Sequence, residues 1–218
     1  MPDANGECAN VRALIRKSRD SGRQETRFQA FCELTQKLLS LTVMADGQRV
    51  GLDRSWIGDN RTRLLVGRSH DSELNTIRLR DDRFLRVTMT LRITSNDRFA
   101  VPRSSFQYQE TEGDQSEIFR YDYLRAQKDE HPRAHLNIHG RLDHDVLGDR
   151  KPLQDVHFPT GRIPIEGVIR LLLVQFEVPP ATPEEIWMPV LTTSEAAFRE
   201  ICEQPLSGPD HLGTAAAG

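Results

Sequence analysis

The spacing of apolar residues divides the chain into a helical beginning, a stranded middle and a helical end. Phe28, Phe31, Cys32, Leu38 and Leu39 recur at the interval of one helical stripe. They predict a helix from Thr26 that ends near Ala45-Asp46-Gly47, where Asp-Gly signals a turn. Residues 1–24 are polar and mixed, with a short helical phrase at Val11-Arg-Ala-Leu-Ile15 that Ser18 to Gly22 should break. From residue 84 the period falls to two. Leu85, Val87, Met89, Leu91 and Ile93 alternate with Arg86, Thr88, Thr90 and Arg92, the pattern of a half-buried strand rich in Thr and β-branched residues.

Ser95-Asn-Asp97 makes a turn, an extended run starts at Phe106, and Glu112-Gly113-Asp114 turns the chain again. Residues 117–124 follow as a strand with Phe119, Tyr121 and Tyr123 on one face and Arg120 and Asp122 on the other. A second strand at 133–140 is separated from it by a loop, so the two are expected to pair antiparallel. Residues 141–161 read as a loop rich in Asp, Gly and Pro. Ile165, Val168, Ile169, Leu172, Leu173 and Phe176 then mark an amphipathic helix that starts at Pro164 and stops before Pro179-Pro180. Thr182-Pro-Glu-Glu185 has the form of a capping box, but Pro189 should cut that helix short, leaving a last helix over Ser194–Glu203.

The fold class is therefore α+β: an antiparallel meander sheet with an N-terminal helix and an amphipathic helix packed on one face. The expected organisation is a partly helical polar segment over 1–24, one α+β domain over 25–204, and a disordered tail over 205–218.

Composition narrows the class. With 218 residues, 37% hydrophobic and 28% charged, the chain can build one core domain with a solvated exterior. No apolar run approaches a membrane span, and the opening MPDANGECAN has neither a basic nor an apolar leader region, so a cytoplasmic location is expected. Three widely spaced cysteines, Cys8, Cys32 and Cys202, argue for inert thiols over a disulfide framework or a metal knuckle. The net charge of -3 hides a basic stretch: residues 54–103 hold eleven Arg and no Lys against six acids. Arginine grips phosphate bidentately, so this stretch is either a nucleic-acid surface or a solvated face with interleaved charges.

The chemistry concentrates at Pro132-Arg-Ala-His135-Leu136-Asn137-Ile138-His139-Gly140. Alternation sends Leu136 and Ile138 to a buried face and His135, Asn137 and His139 to the opposite one. The two imidazoles lie about 13 Å apart at ~3.3 Å per residue, too far for one metal ion but suited to two jobs on opposite sides of a phosphate. Paired with the 117–124 strand, they share a polar face with Arg120 and Asp122. His157 and Arg162 would reach its rim if the intervening loop folds over it. One neutral His removes a proton, a second protonated His supplies one, and Arg steadies the charge at phosphorus. Imidazole fits because it titrates near neutral pH.

A metal alternative would draw on Asp122, His135 and His157 as a two-His, one-carboxylate set. The histidine-triad nucleotide hydrolases carry a third His where this chain has Asn137, so the nucleophile of that motif is missing. There is no P-loop, GxGxxG, GxSxG elbow or zinc-finger spacing, and no cofactor is expected.

Three blocks in order, Arg120-Tyr-Asp122, then Pro132-Arg-Ala-His135-Leu-Asn-Ile-His139, then His157-Phe-Pro-Thr-Gly-Arg162 leading into an apolar helix, resemble the TumE-like bacterial toxins over about residues 84–178. That resemblance implies a small α+β toxin of a toxin-antitoxin pair, with a cognate antitoxin as partner and RNA as target. The reading is then a metal-independent endoribonuclease. In it His135, His139, Arg120 and Asp122 are catalytic, and Asn137, His157 and Arg162 contact substrate. The competing readings are a non-catalytic nucleic-acid or protein-binding module and a homodimer interface on the same face.

Overall fold

Helix α1 (Ala4–Asp20) is longer than its apolar phrase suggests, because Asp3 caps it by accepting from Gly6 N at 2.7 Å. Ser18 does not break it: the hydroxyl donates to Ile15 O at 2.8 Å and the residue is buried. With Cys8, Val11 and Ile15 also buried, the N-terminal segment belongs to the same core as the rest. Residues 21–23 link it to α2 (Gln24–Ser40), whose buried stripe holds Phe28, Phe31, Leu34, Leu38 and Leu39. The molecule is a computed structural model that describes residues 3–53, 61–69, 74–113, 116–126, 132–139 and 158–202.

Among the described residues, eight strands form one antiparallel sheet. They are β1 (Arg49–Asp53), β2 (Thr62–Arg68), β3 (Ile77–Arg78), β4 (Phe84–Ile93), β5 (Phe99–Gln109), β6 (Glu117–Leu124), β7 (Ala134–Ile138) and β8 (Phe158–Pro159). Their order is β1-β2-β4-β5-β6-β7-β8, and β3 pairs with β4. Since β5 lines the other edge of β4, β3 and β2 share one edge. The predicted alternation of β4 holds along its length, and β6 pairs with β7 as expected.

Helix α3 (Ile165–Val174), with Pro164 as its N-cap, and α4 (Glu184–Cys202) complete the layer on the apolar face. Phe28 and Phe31 tilt onto Phe99 at 6.1 and 5.0 Å between centroids. At the other end Tyr108, Phe119 and Phe176 form an aromatic cluster at 5.0–5.5 Å. Pro189 lies inside α4 and does not end it, contrary to the sequence expectation. At the sixth helical position it removes one ladder bond, to Glu185, and the buried Trp187, Val190 and Leu191 hold the helix in place. Nor does Thr182 form a capping box; its hydroxyl donates to Leu41 O at 2.8 Å, and Pro183 O accepts the first helical bonds.

Arg27 ties α2 to the β4–β5 turn. Its Nε donates to Ser21 O at 2.6 Å, and both terminal nitrogens donate to the Asp97 carboxylate at 3.1 and 3.0 Å. Asp97 reaches them from a left-handed backbone, φ 57°. The guanidinium is buried while Asp97 stays largely solvated. Arg27→Ala is expected to lower stability by about 1.5–3 kcal/mol in chemical denaturation, with Arg27→Lys recovering only part because it lacks the fork. A loss below ~0.5 kcal/mol would mean that the bridge contributes no more than a surface ion pair.

Candidate functional site

Register builds the site in three rows across the sheet face opposite the described helices. Thr88, Ser105, Asp122 and His135 are successive cross-strand partners from β4 to β7. Arg86, Gln107, Arg120 and Asn137 form the next row. Gln109 and Glu117 begin a third, beside which His139 N donates to Ile118 O. The sheet therefore brings together five predicted residues: Arg120, Asp122, His135, Asn137 and His139.

A sixth residue, Glu117, joins them, and strict alternation would have sent it to the apolar face with Phe119. The register of β5 and β6 slips between Tyr108/Phe119 and Gln109/Glu117, leaving Ile118 as an extra residue. That β-bulge turns Glu117 onto the polar face. Its carboxylate accepts from Arg120 Nη1 at 2.9 Å on Oε2, and Oε1 lies 2.8 Å from His139 Nε2 as an ion-pair contact without hydrogen-bond alignment. The Glu117 side chain is 3% exposed, and burial pushes its carboxyl above the usual range while Arg120 and His139 pull it back. The only sequence signal for it is an acid three residues from Arg120, a spacing that a regular strand would place on opposite faces.

Arg120 bridges two carboxylates. Besides Glu117, its Nε donates to Asp122 Oδ2 at 2.7 Å. Two of its three nitrogens are thereby engaged, so it braces the carboxylates as much as it offers a phosphate grip. Asp122 Oδ2 also lies 3.7 Å from His135 Nε2, an ion-pair distance longer than a hydrogen bond. His135 Nδ1 is 3.1 Å from Pro132 O, which can only accept, so that nitrogen carries a proton. Each imidazole thus faces its own carboxylate, with Arg120 spanning the two.

Burial along β7 departs from the expected pattern. Asn137 is 1% exposed, whereas Leu136 and Ile138 are half-buried. Leu136 does pack against the core, but β7 lies one strand from the sheet edge, where the helix layer covers less. Asn137 Oδ1 has no hydrogen-bond partner among the described residues, so its cost of burial is unrelieved there.

Arg162 does not reach this face. Its guanidinium stacks 4.7 Å over the Tyr123 ring and donates to Val101 O at 3.2 Å, on the helix side of the sheet. The chain leaves β8 to enter α3, which packs on the apolar face, and Arg162 goes with it. His157 lies outside the described residues. The Arg-rich stretch divides likewise: Arg63 sits on the helix side against Glu25 and Phe28, and Arg83 donates to Tyr108 OH. Arg86, Arg92 and Arg103 line the polar face.

Comparison with family models, curated proteins and solved structures finds no match. Among the described residues, no group of three or more His, Cys, Asp and Glu side chains converges as a metal ion would require, and no helix is long and apolar enough to cross a membrane. Cys8 and Cys32 are buried free thiols, and burial raises the Cys32 thiol to about 11.

Proposed function

We propose that the polar sheet face is an acid–base site that cleaves RNA, in a protein of toxin type whose partner is a cognate antitoxin. The observation that carries this reading is that His135 and His139 each face a carboxylate, Asp122 and Glu117, with Arg120 bracing both. A carboxylate on one ring nitrogen orients the imidazole and stabilises the imidazolium, the arrangement that acid–base catalysis uses. In this scheme the Glu117 carboxylate, 2.8 Å from His139 Nε2, orients the ring by its charge, so that Nδ1 takes the proton from a ribose 2′-hydroxyl. The freed oxygen attacks phosphorus. The P–O5′ bond breaks, and His135 as imidazolium gives its proton to the departing 5′ oxygen. The products are a 2′,3′-cyclic phosphate and a 5′-hydroxyl end. Arg86, in the same row as Arg120, adds positive charge for the phosphate.

A second reading keeps the basic face and drops the chemistry. Arg120 is largely occupied by Glu117 and Asp122, which suits a structural brace in a nucleic-acid-binding sheet. Expression of the wild type and of His135→Ala/His139→Ala separates the two. Slowed growth with fragmented RNA for the wild type, and neither for the double variant, supports cleavage. Intact RNA with the wild type, together with strongly salt-dependent RNA binding, supports the binding module.

A further inference from the structure

We infer that the groove between α1 and α4 is a docking site for an acidic amphipathic helix of a partner protein, on the side of the molecule away from the imidazole face. The groove encloses about 580 Å³. Arg12, Arg16 and Arg19 line one wall, at the i, i+4, i+7 spacing that puts them in a single stripe along α1. Ile15 forms the floor, and Thr193 and Ala197 of α4 form the opposite wall. Small residues on α4 leave the space open; the arginines make its rim cationic.

Part of this charge is unpaired among the described residues. Arg19 is held by Asp20 at 2.6 and 2.9 Å, but Arg12 and Arg16 have no ion pair among the described residues. Both are exposed, so they are solvated in the free protein and ready to meet acids without burying a charge alone. The stripe runs about 10 Å along α1 at 1.5 Å per residue, two turns of a helix. A helix laid alongside with Glu or Asp at the same spacing pairs each arginine, and its apolar face meets Ile15 and Ala197. The occupant follows from the lining. A nucleic acid would call for aromatic stacking surfaces, and among the described residues none lines the groove. An apolar floor beside a cationic wall instead matches a peptide with one acidic and one apolar stripe.

Position adds a consequence. Helix α1 packs chiefly on α2 and α4, and the sheet lies between that layer and the imidazoles. A partner seated in the groove therefore leaves the polar sheet face open.

Fluorescence anisotropy with the full chain tests this. The probe is a labelled helical peptide with Glu at i, i+4 and i+7 and Leu on the adjoining face; its control carries Lys in place of Glu. The acidic peptide is expected to bind, the Lys peptide not, and Arg12→Glu/Arg16→Glu is expected to weaken the acidic peptide at least about tenfold and to gain affinity for the Lys peptide. Circular dichroism of the variant should be unchanged, since both side chains are exposed. Failure of the acidic peptide to bind, or equal binding by the variant, overturns the proposal. So does a concentration-dependent dimer abolished by Arg12→Glu/Arg16→Glu, or RNA binding lost in it, which would assign the groove to a second copy or to nucleic acid. RNA cleavage should be the same in the variant, so the outcome here is separable from that for the sheet face.

Discussion

Purified His139→Ala is expected to cleave single-stranded RNA about 10²–10⁴-fold more slowly than the wild type, with circular dichroism unchanged. His139 is partly exposed at the end of β7, so its removal leaves no buried cavity. His135→Ala should fall in the same range. The two losses should be far from additive, because a proton relay that lacks either member is already broken. Glu117→Gln keeps the shape but removes the charge that orients the His139 ring; it should cost less than loss of the imidazole and should change the pH dependence of kcat. A fully active His139→Ala would remove His139 from the chemistry, and a fully active Glu117→Gln would reduce the carboxylate to a structural role.

The second large effect concerns stability. Glu166 of α3 is 1% exposed in the core against α4. The Ser194 hydroxyl donates to its Oε1, and its Oε2 has no hydrogen-bond partner among the described residues. Burial raises its carboxyl above the ordinary glutamate range, and Ser194 opposes this only in part. The folded state therefore holds a proton that the unfolded chain has already released. Stability from this group is fully present below the unfolded value near 4.5, and is lost as pH rises through the raised folded one. Ionising so buried a carboxyl costs on the order of several kcal/mol. Glu166→Gln should accordingly flatten the pH–stability curve above that range and raise Tm on its alkaline side. Ser194→Ala should lower stability by about 1–3 kcal/mol. If Tm falls equally with pH in wild type and Glu166→Gln, the group responsible is elsewhere.

Much of this was legible in the sequence for reasons that can be named. Strand β4 showed itself because its alternation is unbroken and one of its faces is fully buried. The pairing of β6 with β7 followed from adjacency, and with it the shared face of Arg120, Asp122, His135 and His139. What escaped were features that depend on contacts distant in sequence or on a single-residue slip. Glu117 was hidden because the bulge at Ile118 inverts parity there. Arg162 lies away from the rim because the short path from β8 into α3 is fixed by where that helix finds its core. Pro189 looked like a helix stop, yet early in α4 it removes one bond, and the packing of Trp187 and Leu191 outweighs that loss. The reach of α1 was masked by Ser18, whose burial required α1 to have a neighbour.

The most direct test of the sheet face as a ribonuclease site is end analysis of a defined RNA incubated with the purified full chain in the presence of a chelator. Cleavage leaving 2′,3′-cyclic phosphate and 5′-hydroxyl ends, absent with His135→Ala/His139→Ala of unchanged fold, is the expected result. Intact RNA, or the same fragments from the double variant, would contradict it.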